Sequence, residues 1–86
     1  MAKYVINYDL RKPGRNYDDL YKALNSFSNI HPMESCWIIK STNSSSYIRD
    51  YLETKIDSND KLFVSKLDDW ASLNFTQTEV NWLKQS

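Results

Sequence analysis

Lys3-Tyr4-Val5-Ile6-Asn7-Tyr8-Asp9 is a run of β-branched and aromatic side chains that halts before the punctuation Lys12-Pro13-Gly14. Such a run predicts a buried strand with Asp9 at its carboxyl end. Because strand side chains alternate, Tyr4, Ile6 and Tyr8 share one face, and Val5, Asn7 and Asp9 share the other. After the turn, Asn16 stands at an N-cap position, followed by Asp18 and Asp19 in a first helical turn whose dipole favours negative charge. Tyr17, Leu20, Tyr21, Leu24 and Phe27 then recur at helical spacing. They predict a helix beginning at Tyr17, with one apolar stripe laid on the sheet.

Ser28-Asn29-Ile30-His31-Pro32 breaks that pattern, since proline lacks an amide donor and disfavours helical geometry at His31; a chain reversal is expected there. Ser35-Cys36-Trp37-Ile38-Ile39-Lys40 reads as a second strand, ended by the turn-forming Ser41-Thr42-Asn43. Ser44 or Ser45 then caps a helix near residues 45–56, in which Ile48, Leu52 and Ile56 align. A polar turn, Asp57-Ser58-Asn59-Asp60, leads into a third strand at Leu62-Phe63-Val64. Residues 67–75 carry no single period, whereas Thr76-Gln77-Thr78-Glu79 matches a capping box for a short closing helix with Val80 and Leu83 on its apolar edge.

This order predicts one α+β domain over residues 1–86. The expected form is a ferredoxin-like two-layer sandwich: a mainly antiparallel sheet, two helices on one face and a short C-terminal helix. Such a sheet needs a fourth strand, and residues 30–40 offer either a bent strand or a tight hairpin.

A chain of 86 residues hides only about 60 to 65 per cent of its unfolded surface, a shortage that dimerisation relieves. Hydrophobic residues at 41% and aromatics at 14% exclude a disordered chain. Eleven basic and eleven acidic side chains cancel, which excludes a strongly cationic nucleic-acid binder. With one cysteine, Cys36, and one histidine, His31, there is neither an internal disulfide nor enough ligands for structural zinc. No apolar run reaches the 18 or so residues of a membrane span, and the chain enters its strand pattern without a signal-peptide pattern, so a soluble, cytoplasmic protein with no membrane association is expected.

YVINYD at 4–9, an arginine-bearing loop before an amphipathic helix, ESCWII at 34–39 and DKLFVSKL at 60–67 resemble the small ferredoxin-like CRISPR adaptation family. That family supplies the smaller subunit of the spacer-integration complex. The likeness is closer to its SinR-like stand-alone relatives, with virulence-associated protein D more distant, and it covers roughly residues 3–67. The resemblance implies a homodimer with facing sheets in which the aspartate ending the first strand, here Asp9, is paired across the twofold. Some members are metal-dependent nucleases acting on RNA or double-stranded DNA, and others are noncatalytic scaffolds. Two features depart from the pattern: Ser35-Cys36-Trp37 lacks an acidic residue and a glycine after the aromatic, and the tail looks helical where the family adds a strand across the dimer.

Asp9 is therefore the candidate catalytic and metal-binding residue, because two such carboxylates across a twofold could hold Mg²⁺. Its plainer role is that of a turn former. Arg11 and Arg15, flanking Pro13-Gly14, are candidates for positioning a phosphate, or else a solvated loop pairing with Asp18 or Asp19. Asn7 shares the face of Asp9 as a polar companion. His31 is a general base only if its loop brings it to a substrate. Cys36 reads as a small buried hydrophobe, and Trp37, Trp70 and Trp82 as core or interface rather than base-stacking platforms. The zero net charge favours a noncatalytic dimeric adaptor or nucleic-acid-associated protein over a metal-dependent endonuclease built on Asp9.

Overall fold

A computed structural model describes all 86 residues. In chain order the elements are β1 (Ala2–Asp9), α1 (Asp18–Asn25), β2 (Ser28–Met33), β3 (Cys36–Ser41), α2 (Ser45–Glu53), β4 (Lys61–Lys66) and α3 (Gln77–Lys84). The four strands form one sheet in the order β2-β3-β1-β4, and each neighbouring pair is antiparallel. The expected α+β class and two-layer arrangement hold.

β1 lies inside the sheet, and its alternation separates two environments as expected. Tyr4, Ile6 and Tyr8 join Trp37 and Ile39 of β3 in a core with Leu20, Ala23 and Leu24 of α1 and Ile48 and Leu52 of α2. Large aromatics can be buried this way because their polar tips find partners. Trp37 Nε1 donates to Tyr8 Oη at 3.0 Å, Tyr8 Oη donates to the Glu34 carbonyl at 3.3 Å, and Tyr4 Oη donates to the Asn43 carbonyl at 2.6 Å. No buried side-chain polar atom is left without a partner.

The helix signals were sound, with small shifts. α1 begins one residue after Tyr17, so Tyr17 and not Asn16 stands at the N-cap, without a side-chain cap bond; Asn16 Oδ1 instead accepts the Asp18 amide at 2.8 Å in the turn before the helix. The helix closes at Asn25, before Phe27. Of the two serines, Ser44 caps α2 by accepting from the Tyr47 amide. The capping box of α3 is complete, Thr76 Oγ1 accepting from the Glu79 amide at 3.1 Å and Glu79 Oε1 from the Thr76 amide at 2.8 Å.

One expectation needs correction. Ser28-Asn29-Ile30-His31-Pro32 is no chain reversal; it is most of β2, the fourth strand, and the reversal falls at Glu34-Ser35. Pro32 misled because it cannot donate to a ladder, yet β2 is an edge strand with a register irregularity between Ile30 and Met33, where that loss is tolerated.

The second face of the sheet is covered in part by the chain's own tail. Ile30, Ile38 and Leu83 form a separate small core, flanked by Val5, Leu67, Trp70, Phe75 and Trp82. The Leu67 amide donates to the Lys3 carbonyl at 2.8 Å, and Trp82 Nε1 donates to Ser28 Oγ at 3.1 Å. Leu83, 3% exposed, is the only buried residue of α3. Leu83→Ala should therefore cost about 2 kcal/mol, the low end for a buried leucine because a single helix can settle into the gap. Chemical denaturation monitored by tryptophan fluorescence measures it.

Two loops meet on one carboxylate. Asp60 accepts from the backbone amides of Arg11 and Asp57 and from Tyr17 Oη, the last two at 2.8 Å, and so binds the β1–α1 loop to the α2–β4 turn. Burial alone would raise the Asp60 pKa, but these hydrogen bonds, from the Arg11 amide first, and the charge of Arg15 bring it below the ordinary value. A depressed carboxylate pKa stabilises the fold above its unfolded value near 3.9 and is lost as pH falls through the folded one. Asp60→Ala should lower stability at pH 7 by about 1–2 kcal/mol, the range for hydrogen bonds to a carboxylate that water partly screens. Urea denaturation at pH 7 and pH 3 should show that difference shrinking in acid.

Candidate functional site

The carboxyl end of β1 opens onto a loop that the sequence shapes closely. The Arg15 amide donates to the Lys12 carbonyl at 3.2 Å, with Pro13 and Gly14 between them and Gly14 at φ 76°. Proline second and a positive-φ glycine third is the signature of a tight turn of type II. It folds the loop back, so that its two arginines point to different places.

Arg11 turns toward Asp9. Its Nε and Nη2 both donate to Asp9 Oδ2, at 3.0 and 2.8 Å, and the pair is about half exposed on both sides. Asp9 also stands directly across the sheet from Lys61 of β4. Arg15 turns the other way: Nη1 lies 3.8 Å from Asp57 Oδ1, Nη2 donates to the Lys55 carbonyl at 3.4 Å, and the guanidinium sits 5.3 Å from the centre of the Tyr17 ring. Lys12 Nζ reaches the same Asp57 oxygen at 3.9 Å. Asp9 and Arg11 are thus brought together, while Arg15 is engaged at the α2–β4 turn. Neither arginine pairs with Asp18 or Asp19.

Beside Asp9, an open depression of 510 Å³ is bounded by Asn7, Asp9, Lys61 and Phe63. Asn7 lies opposite Phe63 on one side and Cys36 on the other. The expected companionship of Asn7 and Asp9 on one face is realised. Phe63 is 64% exposed.

The other singled-out residues are built into the fold. His31 stacks on Trp37, ring centres 4.0 Å apart and 12° from parallel, and its Nε2 lies 3.0 Å from the Glu34 carbonyl oxygen. Both contacts keep it about the β2–β3 reversal. Burial pushes the Cys36 thiol up, which suits an inert side chain. Trp37 belongs to the main core, and Trp70 and Trp82 to the tail. Nowhere do three or more His, Cys, Asp or Glu side chains converge as a metal ligand set. Sequence reasoning missed Lys61 as the neighbour of Asp9, because that pairing depends on the β1–β4 register, and took Asp60 for part of a polar turn.

No protein-family model matches the chain, and no solved structure does. No helix is long and apolar enough to cross a membrane.

An exposed ion pair adds little to stability. Asp9→Asn and Arg11→Met should each change it by less than about 1 kcal/mol. Gly14→Ala should cost more, about 1–2 kcal/mol, because its backbone must keep a positive φ even though an added Cβ meets nothing within 4 Å. Urea denaturation of the three variants tests this ranking; because asparagine replaces aspartate in turns, a large loss for Asp9→Asn would show that the fold depends on the Asp9 charge.

Proposed function

We propose that the chain is a ferredoxin-like module serving as a noncatalytic homodimeric adaptor, associated with nucleic acid in the manner of the small CRISPR adaptation family and its SinR-like relatives. The order β1-α1-β2-β3-α2-β4, the sheet order β2-β3-β1-β4 and the packing of α1 and α2 on one face support the ferredoxin-like reading. The dimer reading draws on the sheet face left open by the tail, where Phe63 and Met33 stand 64% and 53% exposed at either end of a cross-strand row that runs through Asn7 and Cys36.

The observation that carries adaptor over enzyme is the Arg11–Asp9 pair. Two carboxylates meeting across a twofold repel unless a cation or a shared proton lies between them. Here each Asp9 brings its own cation, so such a dimer needs no metal to form.

A metal-dependent endonuclease acting on RNA or double-stranded DNA is the second reading, favoured by one atom: Asp9 Oδ1 accepts no hydrogen bond, since both contacts from Arg11 go to Oδ2. Mg²⁺ demands six oxygen ligands in near-octahedral array. A single chain, with one free carboxylate oxygen and a guanidinium beside it, does not fit that demand; a homodimer would offer two such oxygens.

Light scattering at tens of micromolar protein should give the dimer mass, and a monomer mass would remove both readings that use a twofold. Incubation with RNA or duplex DNA in Mg²⁺ or Mn²⁺ should leave the nucleic acid intact. Metal-dependent cleavage that disappears in Asp9→Asn, with the dimer preserved, would overturn the adaptor and establish the nuclease.

A further inference from the structure

At the other end of β1, along the border of the tail, the same sheet face carries a pairing that the fold itself does not explain. Lys3 of β1 lies directly opposite Lys40 of β3, and Lys40 lies opposite Ser28 of β2, in one cross-strand row. Directly opposed residues hold their Cβ atoms about 4.5–5.5 Å apart, and like charges so placed destabilise a sheet. Neither ammonium has a carboxylate within ion-pairing distance or a hydrogen bond within the chain. The ion pairs lie elsewhere, at Asp9, Asp50 and Asp57. Asp68 and Asp69 follow Leu67, whose amide holds the Lys3 carbonyl, yet neither makes an ion pair with these lysines.

Lys40 is only 7% exposed. Its Nζ sits 4.4 Å from the centre of the Trp82 ring, a contact that shields one side of the ammonium and supplies no counter-charge. Ser28 Oγ accepts the Trp82 indole N–H, leaving its own hydrogen free to donate. Burial, and then the charge of Lys3, both push the Lys40 pKa down. A cation whose stem is buried but whose ammonium still reaches solvent, a second cation beside it and a hydroxyl donor on one row lack only an anion.

We propose that Lys3, Lys40 and Ser28 form a binding site for a tetrahedral oxyanion, the phosphate group. Lys3 and Lys40 provide charge-assisted hydrogen bonds to two of its oxygens, and the Ser28 hydroxyl serves a third. Trp82 closes the side of the site toward α3. The site is separate from the Asp9 end of the same strand face, six residues away or about 20 Å at 3.3 Å per residue, and it does not depend on the function proposed above.

Lys40 has a competing structural role, clamping Trp82 and with it the tail, so Lys3 is the diagnostic residue: the lysine contact on the Trp82 ring comes from Lys40. The full chain is melted with increasing inorganic phosphate, ionic strength held constant with sodium chloride. At ten times its Kd, phosphate should raise the Tm of wild type by about 6–11 °C. Lys3→Met should melt at or above wild type without phosphate, because the repulsion is gone, and should weaken phosphate binding at least about tenfold. Its tryptophan emission should be unchanged, since the clamp remains. A phosphate response equal to that of chloride, or a Lys3→Met variant that responds as wild type does, overturns the site. A competing arm uses oligothymidylate: displacement of bound phosphate identifies a nucleic-acid phosphodiester as the source, and failure to displace it identifies a free phosphate group.

Discussion

β1 is hydrogen-bonded on both sides, to β3 and to β4, and each of its side chains is therefore committed to one face or the other. Tyr4, Ile6 and Tyr8 demand an apolar cover, which α1 and α2 provide. Val5 on the reverse side demands a second cover, and the tail from Leu67 to α3 provides it in part. The ends of the same reverse side carry Lys3 and Asp9, neither of which belongs in a core. A one-residue slip of β1 would exchange the two sets and leave three aromatic or branched side chains in water. The strand thus fixes where the helices sit and where charged chemistry can appear.

The loops after β1 and α2 and the surface of α2 hold the protein's ion pairs. Asp9 meets Arg11, Asp50 meets Arg49 within 2.8 Å, and Asp57 lies between Lys12 and Arg15. Asp60 carries no ion pair; backbone amides and a tyrosine hydroxyl satisfy it instead. Lys40 is the one lysine with so little surface, and it faces a second lysine with no acid between them.

Elements whose signals are local were legible in the sequence. β1 and β3 show in their β-branched and aromatic runs, and the caps at Ser44 and Thr76 follow from side chains acting within three residues. β2 was only half legible: a tight hairpin within residues 30–40 was one of two readings and is the one realised, but the chain reversal was placed on the strand itself because Pro32 forbids an inner strand and permits an edge one, and edge status is decided by the whole sheet. The candidate site divides along the same line. Asp9 at a strand end and Arg11 two residues later could be placed from sequence. The departure of Arg15 toward Asp57, the opposition of Asp9 to Lys61 and the facing of Lys3 and Lys40 all depend on register or on distant turns, which single-sequence patterns do not encode.

Pro32 has one more effect, on what the molecule avoids. A sheet with open edges is a template on which foreign strands can grow, and long flat edges seed fibres. On the β2 side a newcomer would meet a missing donor at Pro32 and a ladder already out of step between Ile30 and Met33. On the β4 side it would have to approach a six-residue strand with a lysine at each end, Lys61 and Lys66. Both borders are hostile to polymerisation, which leaves a protein with an exposed phenylalanine on its surface free to associate through a face and not through an endless ribbon.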